Sequence, residues 1–334
     1  MTDQNIDPKN HTFVELFAGT GLFGKAFIQE GFVPIQAVEF CAQAAATYRS
    51  NVGDHIKIGD VKTLSARGKA DLLIGGPPCQ GFSTLGKRDS SDPRNKLGLE
   101  MVRWAKESDA KVVVVENVGA FLGSTHYQVM RRKFEKLGYV VSSFILDAAD
   151  HKVPQHRVRS FTIASKIGSP EIPHSHRPYI TVREAFKNLP RIDGKDTLHK
   201  SRPISDLASA RMSVLPANGG KKDIMLLAPE LVPESWWKIP NQAVDVWRRM
   251  DWNKPSNTIR TSFINPSKGR YVHPVRNRVI TLREAARLHS IPDDWKFHGT
   301  DTSVARQIGN SVPPLLGRAV ARSVKNLFRD SNLG

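Results

Sequence analysis

A doubly wound α/β sheet followed by a smaller, loop-rich region is the fold this chain predicts, on three observations. Short β-branched runs alternate with longer helical stretches through the first half of the chain. The segments 72–74 and 112–115 are apolar at every position, as parallel strands buried on both faces are. Composition then shifts, because 12 of the 21 prolines fall between positions 166 and 275, where periodicity fades.

Taken in order, residues 12–17 read as a strand, 22–30 as a helix ended by Gly31, 33–39 as a strand and 42–50 as an alanine-rich helix. Strands are expected again at 56–59, 71–75, 111–116, 140–146 and 160–164. The proline-rich stretch interleaves basic residues with Trp236, Trp237, Trp247 and Trp252, which suit core packing better than base stacking. Helical signals return at 281–289, where Thr281 and Glu284 have capping-box spacing, and at 314–328.

The 334 residues suffice for one large domain or two unequal ones, and 40% hydrophobic with 24% charged residues fits neither a disordered nor a low-complexity chain. Lys and Arg total 49 against 32 acidic residues, a formal +17, which favours a polyanionic partner: nucleic acid or an anionic membrane surface. The apolar runs fall far short of the roughly 18 residues of a spanning helix, and the polar, acidic N-terminus is unlike a secretory signal. Two cysteines, Cys41 and Cys79, cannot form a disulfide framework or a cysteine-rich zinc site, so reduced thiols in a cytosol are expected, with no metal.

The chemistry-bearing residues gather at strand ends. Phe17, Ala18, Gly19, Thr20 and Gly21 leave the first strand and open a helix, where small residues let a ligand reach backbone N–H groups; a plain tight turn is the rival reading. Glu39 ends the second strand, 20 residues beyond Gly19, where a carboxylate can accept hydrogen bonds from a ribose. Asp60 follows the third and could take an adenine amino group. Three such ends in succession point to an adenosyl ligand, with nicotinamide and adenosylmethionine both open.

After the fourth strand, Pro77 and Pro78 fix the backbone and hold Cys79 at the carboxyl edge of the sheet, where ligands bind in such folds. Cys41 begins a helix and has no such frame. Past Cys79 the chain is polar and basic through Lys87, Arg88 and Arg94, as a mobile lid or a solvated loop is. Glu116 ends the fifth strand at the same edge. Arg157 and Arg159 precede the last strand, spaced to share a face if extended.

These segments, with Arg278, the 281–288 run and the Gln-Ile-Gly-Asn-Ser-Val-Pro-Pro run at 307–314, resemble in order the motifs of the C5-cytosine DNA methyltransferases of bacterial restriction-modification systems, across about residues 12–329. The resemblance implies an adenosylmethionine-dependent methyltransferase sheet in residues 1–165 plus 303–334, and a target recognition domain with hinge in 166–302. It implies a methyl group moved from S-adenosylmethionine to C5 of a flipped-out cytosine in duplex DNA, leaving S-adenosylhomocysteine.

By the same resemblance Cys79 adds to C6, Glu116 binds the amino group and N3, Arg159 holds the base carbonyl and Arg157 supports that geometry. Phe17 through Gly21, Glu39, Phe40, Asp60, Pro77, Leu97, Asn310, Ser311 and Val312 would form the cofactor pocket. Phe40 stands where several relatives carry Trp. Ser83 and Thr258 would meet the DNA backbone, Leu85 would stand where relatives fill the space left by the flipped base, and Arg260, Lys268 and Arg270 are phosphate or guanine candidates. A monomer in the prokaryotic cytoplasm or nucleoid, with no membrane association and a cognate restriction endonuclease as a further partner, completes the expectation.

Readings from other classes are an RNA C5-cytosine methyltransferase, a DNA-binding module without catalysis, and a nicotinamide oxidoreductase. The chain lacks the Cys-Phe-Thr tripeptide of the tRNA-modifying branch. It retains Cys79 and Glu116, which a dead module would have lost, and an oxidoreductase leaves Pro-Pro-Cys-Gln and Gln-x-Arg-x-Arg without purpose.

Overall fold

The computed structural model describes residues 11–78, 97–172, 178–238 and 240–331. Their strands are β1 (Thr12–Leu16), β2 (Val33–Glu39), β3 (Ile56–Ile58), β4 (Leu72–Gly75), β5 (Val112–Val118), β6 (Val140–Asp147) and β7 (Val158–Ser165), ordered β3-β2-β1-β4-β5-β7-β6 in one sheet. β1 to β5 run parallel, whereas β7 inserts antiparallel between β5 and β6. The start of β7 therefore lies at the edge where β1 to β5 end.

The apolar runs behave as expected. Val112 and Val114 enter a core with Phe13, Phe27, Leu72 and Ile74, while Val113 and Val115 point oppositely into a core with Val14, Leu16 and Leu73. α1 (Leu22–Gln29) and α11 (Pro314–Ser331) cover the first face, through Phe23, Leu316 and Val320. α3 (Gly98–Glu107) and α4 (Thr125–Lys136) cover the second, through Met101, Trp104 and Phe134. α2 (Ala42–Asn51) packs Ala45 and Tyr48 beside β2 and β3.

Among its described residues the proline-rich region has short helices, α5 (Val182–Ala185), α6 (Asp206–Ser213), α7 (Lys221–Leu227) and α8 (Glu234–Lys238), and only isolated β-bridges. A small core of Met212, Leu215, Ile224, Trp247, Val272 and Val279 holds it. With no sheet among these described residues to satisfy the loop carbonyls, buried Arg249 donates to those of Met212, Leu215, His273 and Arg276 at 2.8–3.1 Å. Trp247 is buried, and Trp236 lies beside it with Arg211 over both rings; Trp252 packs edge-on against Phe186, so these three pack internally, while Trp237 is half exposed.

α9 (Leu282–Leu288) starts on the Thr281–Glu284 capping box, and α10 (Asp301–Asn310) follows. Val304, Ala305 and Ile308 of α10 share a core with Met250, Ile259 and Phe263, and Leu22 of α1 joins it. Packing is thus continuous across position 303.

Candidate active site

The turn after β1 is held in an unusual backbone form. Phe17 has φ +55°, Gly19 +55° and Gly21 +85°, and a Cβ on Gly21 would meet Val52 and Tyr48 side chains at 2.6–2.7 Å. Gly21 carries no capping side chain for α1; instead Glu15, buried in β1, accepts the Gly24 N–H at 2.9 Å. Burial pushes the Glu15 carboxyl up to about 8, against the lowering effect of that N–H.

Glu39 braces the same turn, accepting the Gly19 N–H at 2.8 Å with one oxygen and the Cys41 N–H at 2.8 Å with the other. Gly59 donates to the Glu39 carbonyl, which brings Asp60 alongside. The Lys62 backbone N–H holds the Asp60 carboxyl below its ordinary range. Between these carboxylates Phe40 leaves 77% of its surface exposed, an aromatic ring open to solvent among the described residues. A planar base against Phe40, with hydroxyl and amino groups reaching Glu39 and Asp60, fits this arrangement.

Further along the edge the groups are buried. Pro77 is buried, and its carbonyl accepts from Asn117 Nδ2 at 3.2 Å, which ties the Pro-Pro turn to β5. The Arg159 guanidinium meets the Glu116 carboxylate at 3.1 Å; Val118 opposes Arg159 in the ladder, and Glu116 lies diagonal on the same face. Burial raises the Glu116 carboxyl, with Arg159 and then Arg157 pulling it back. Burial also lowers Arg159.

Arg157 is 2% exposed and pairs with no carboxylate among the described residues. It donates to the carbonyls of Ile259 at 3.2 Å, Gly309 at 2.9 Å and Ser311 at 3.1 Å. Its reach thus extends to the segment carrying Thr258 and Arg260 and to the segment 310–312. Thr258 donates to the His156 carbonyl at 2.8 Å, and Arg260 and Lys268 are exposed. Arg270 is paired with Asp245 at 2.8 Å, which occupies one side of a candidate read above as open to DNA.

Asn310 is exposed, Val312 is buried in the sheet core, and half-buried Leu97 adjoins the opposite core before α3. Cys79, Ser83 and Leu85 lie outside the described residues. Sequence reasoning gave no role to Glu15 or Gln155, although both sit inside segments it quoted, and it missed His289 and Arg249. The signal for His289 was weak: a histidine just past a capped helix. Arg249 had none, since its partners are four backbone carbonyls and the Asn277 side chain 28 residues away.

The sequence model of the C-5 cytosine-specific DNA methylase family matches residues 11–326. The chain is 36% identical to the type II methyltransferase M1.HphI of Haemophilus parahaemolyticus, over 94% of this chain and 86% of that one. It is 30% identical to the type II methyltransferase M.NgoFVII of Neisseria gonorrhoeae, over 99% and 91%. Among solved structures, a DNA modification methyltransferase encoded within an Escherichia coli prophage superimposes with TM-score 0.70 at 26% identity, covering 96% of this chain and all of that one. The Dnmt2 methyltransferase of S. pombe shares the fold with TM-score 0.60 at 19% identity, covering 97% and 100%.

Proposed function

Because this chain belongs to the C-5 cytosine-specific DNA methylase family, we propose that its residues divide the reaction between a buried base-handling cluster and an open cofactor edge. The protein is a sequence-specific DNA cytosine-5-methyltransferase and S-adenosylmethionine is its methyl donor. What carries the division of labour is the Glu116–Arg159 pair, whose carboxyl is raised by burial at the same sheet edge as the Pro77-Pro78 turn.

A cytosine flipped from the duplex receives the Cys79 thiolate at C6, and the C5–C6 π electrons move toward C5. Glu116, biased toward its protonated form, gives N3 a proton as negative charge develops on the ring, and Arg159 holds the base carbonyl. When bound, S-adenosylmethionine supplies an electrophilic methyl group to C5. Loss of the C5 proton to a base, expulsion of the thiolate from C6 and return of the N3 proton to the Glu116 carboxylate then restore the neutral aromatic ring and the resting enzyme. Phe40, Glu39 and Asp60 hold the adenosine moiety, and Phe17 through Gly21 with Asn310 to Val312 hold the methionine side.

Residues 166–302 form the recognition domain, and residues 1–165 with 303–334 the catalytic one. Thr258 and Arg260 touch DNA. One copy of the chain acts on the duplex in a prokaryotic cytoplasm or nucleoid, and the methyl mark protects sites from a cognate endonuclease. Labelled methyl transfer to duplex DNA, with bisulfite sequencing of the product, tests the reading: methylation at C5 of one cytosine in a fixed sequence is expected. Transfer to RNA in preference to duplex DNA would replace it with the RNA-modifying reading.

A further inference from the structure

Residues on four separate segments close a hydrogen-bonded ring beneath the site. The Ile259 N–H donates to Gln155 Oε1 at 2.8 Å, and Gln155 Nε2 donates to His289 Nδ1 at 2.9 Å. His289 Nε2 donates to the Ser311 carbonyl at 3.0 Å, which Arg157 also engages at 3.1 Å. Arg157 returns to the Ile259 carbonyl at 3.2 Å and closes the ring. Gln155, Ile259 and His289 are fully buried.

The polarity of this ring has one solution. Gln155 Oε1 accepts from a backbone N–H, so its Nε2 must donate toward His289, whose Nδ1 must then accept. The imidazole is therefore neutral with its proton on Nε2, directed at Ser311. Burial and the neighbouring Arg157 hold His289 well below its ordinary pKa, in keeping with that tautomer.

Two backbone segments hang on the ring. Ile259 lies between Thr258 and Arg260, assigned above to DNA, and Ser311 lies between Asn310 and Val312, assigned above to the cofactor. The segments also touch directly: a Cβ added to Gly309 would come within 2.4–2.6 Å of the Arg260 and Thr261 backbone. Neither segment can shift without the other while ring and contact persist.

We propose that His289 is a positioning residue that couples cofactor binding at 310–312 to DNA engagement at 258–260. The inference rests on the site assignments proposed above. It says that S-adenosylhomocysteine and cognate duplex tighten each other's binding through Gln155, His289 and Arg157, rather than only by touching within the pocket.

The test measures S-adenosylhomocysteine affinity by calorimetry with and without a duplex carrying the sequence found by bisulfite mapping. For the wild-type protein the duplex should tighten binding by about five-fold or more, the lower end of ordinary coupling between sites. His289→Leu, which fills the volume without bonding, should reduce that factor below about two-fold; His289→Gln, which can accept from Gln155 and donate to Ser311, should restore it. His289→Met gives a second apolar variant should the leucine protein not fold. In wild-type protein without DNA, S-adenosylhomocysteine should also slow hydrogen exchange at the Ile259 amide.

Wild-type coupling retained in a folded Leu or Met variant overturns the proposal, as does equal loss in the Gln and apolar variants. Unchanged exchange at Ile259, or no coupling in the wild-type protein, overturns it too. A wild-type protein that neither methylates duplex DNA nor binds S-adenosylhomocysteine would instead overturn the functional reading beneath it.

Discussion

The edge around β2 and β3, proposed to hold the cofactor, and the edge around β5 and β7, proposed to handle the base, lie on one sheet but are built in opposite ways. At the first, Phe40 is 77% exposed and the Asp60 side chain, 33% exposed, meets Lys62. At the second, Glu116, Arg157 and Gln155 are buried and every one is held by named partners. An open edge loses apolar exposure when its ligand arrives; a buried edge has its dipoles set beforehand, where charge will develop. On the proposed assignment, the same sheet separates binding from chemistry.

The most severe test of that contrast uses the two cysteines, because Cys41 sits exposed at the open edge and Cys79 follows the buried Pro77. DNA with 5-fluorocytosine at the target should trap a covalent complex, since fluorine at C5 blocks the final elimination. Peptide mapping should place the adduct on Cys79. Cys41→Ala should retain both adduct and methylation, and Cys79→Ala should lose both while binding cofactor; an adduct on Cys41 would erase the distinction.

Next in size is Glu116→Gln, which keeps the shape and removes the proton. Its kcat should fall by about 10²–10⁴, the usual worth of a positioned acid, with S-adenosylhomocysteine affinity unchanged. Steady-state kinetics with calorimetry checks both; a fall in affinity with unchanged kcat would merge the two edges.

Stability against pH should separate the regions in sign. Glu15, beneath the cofactor turn, is raised by burial from 4.5 to about 8, so its stabilising share is complete below 4.5 and is lost as pH climbs through 8. Its folded state holds the proton more tightly than the unfolded one. His273, in the proline-rich region, is lowered from 6.5 to about 4 by burial, with its Nδ1 accepting the Val275 and Arg276 N–H groups. Its share is complete above 6.5 and is lost as pH falls to 4, about 2–3 kcal/mol after allowance for partial solvent access. Denaturant titrations from pH 4 to 9 should show Glu15→Gln flattening the alkaline loss and His273→Asn the acidic one. Unchanged slopes in both variants would remove these groups from the account.

The smallest effects belong to the open edge. Asp60→Ala and Phe40→Ala should each weaken S-adenosylhomocysteine binding by about 1–2 kcal/mol, with little change in kcat at saturating cofactor. Thermal denaturation without ligand should barely move, because neither side chain packs into the core; a large drop in Tm would place them on the structural side of the comparison.

Much of this was legible in the chain itself, because local chemistry writes it there. Strict apolarity at 112–115 could belong only to an element buried on both faces, and Thr281 with Glu284 could cap only a helix starting between them. Glycines at the turn after β1, prolines at 77 and 78, and carboxylates at strand ends follow from what one strand end can and cannot do. Long-range selection was not legible. Nothing local distinguishes Arg157 from Arg159, two positions away. Yet Arg159 pairs with Glu116 across the ladder, whereas Arg157 passes beneath it to carbonyls 102 to 154 residues distant. Backbone carbonyls carry no residue identity, so the carbonyls that Arg157, Arg249 and His289 meet leave no mark in composition or spacing, and the side-chain partners Asn277 and Gln155 lie 28 and 134 residues away. Local chemistry thus marks the sheet, its edge and the groups proposed to react there, whereas folding selects which buried donor meets which distant carbonyl, because folding alone brings those backbones within hydrogen-bond reach.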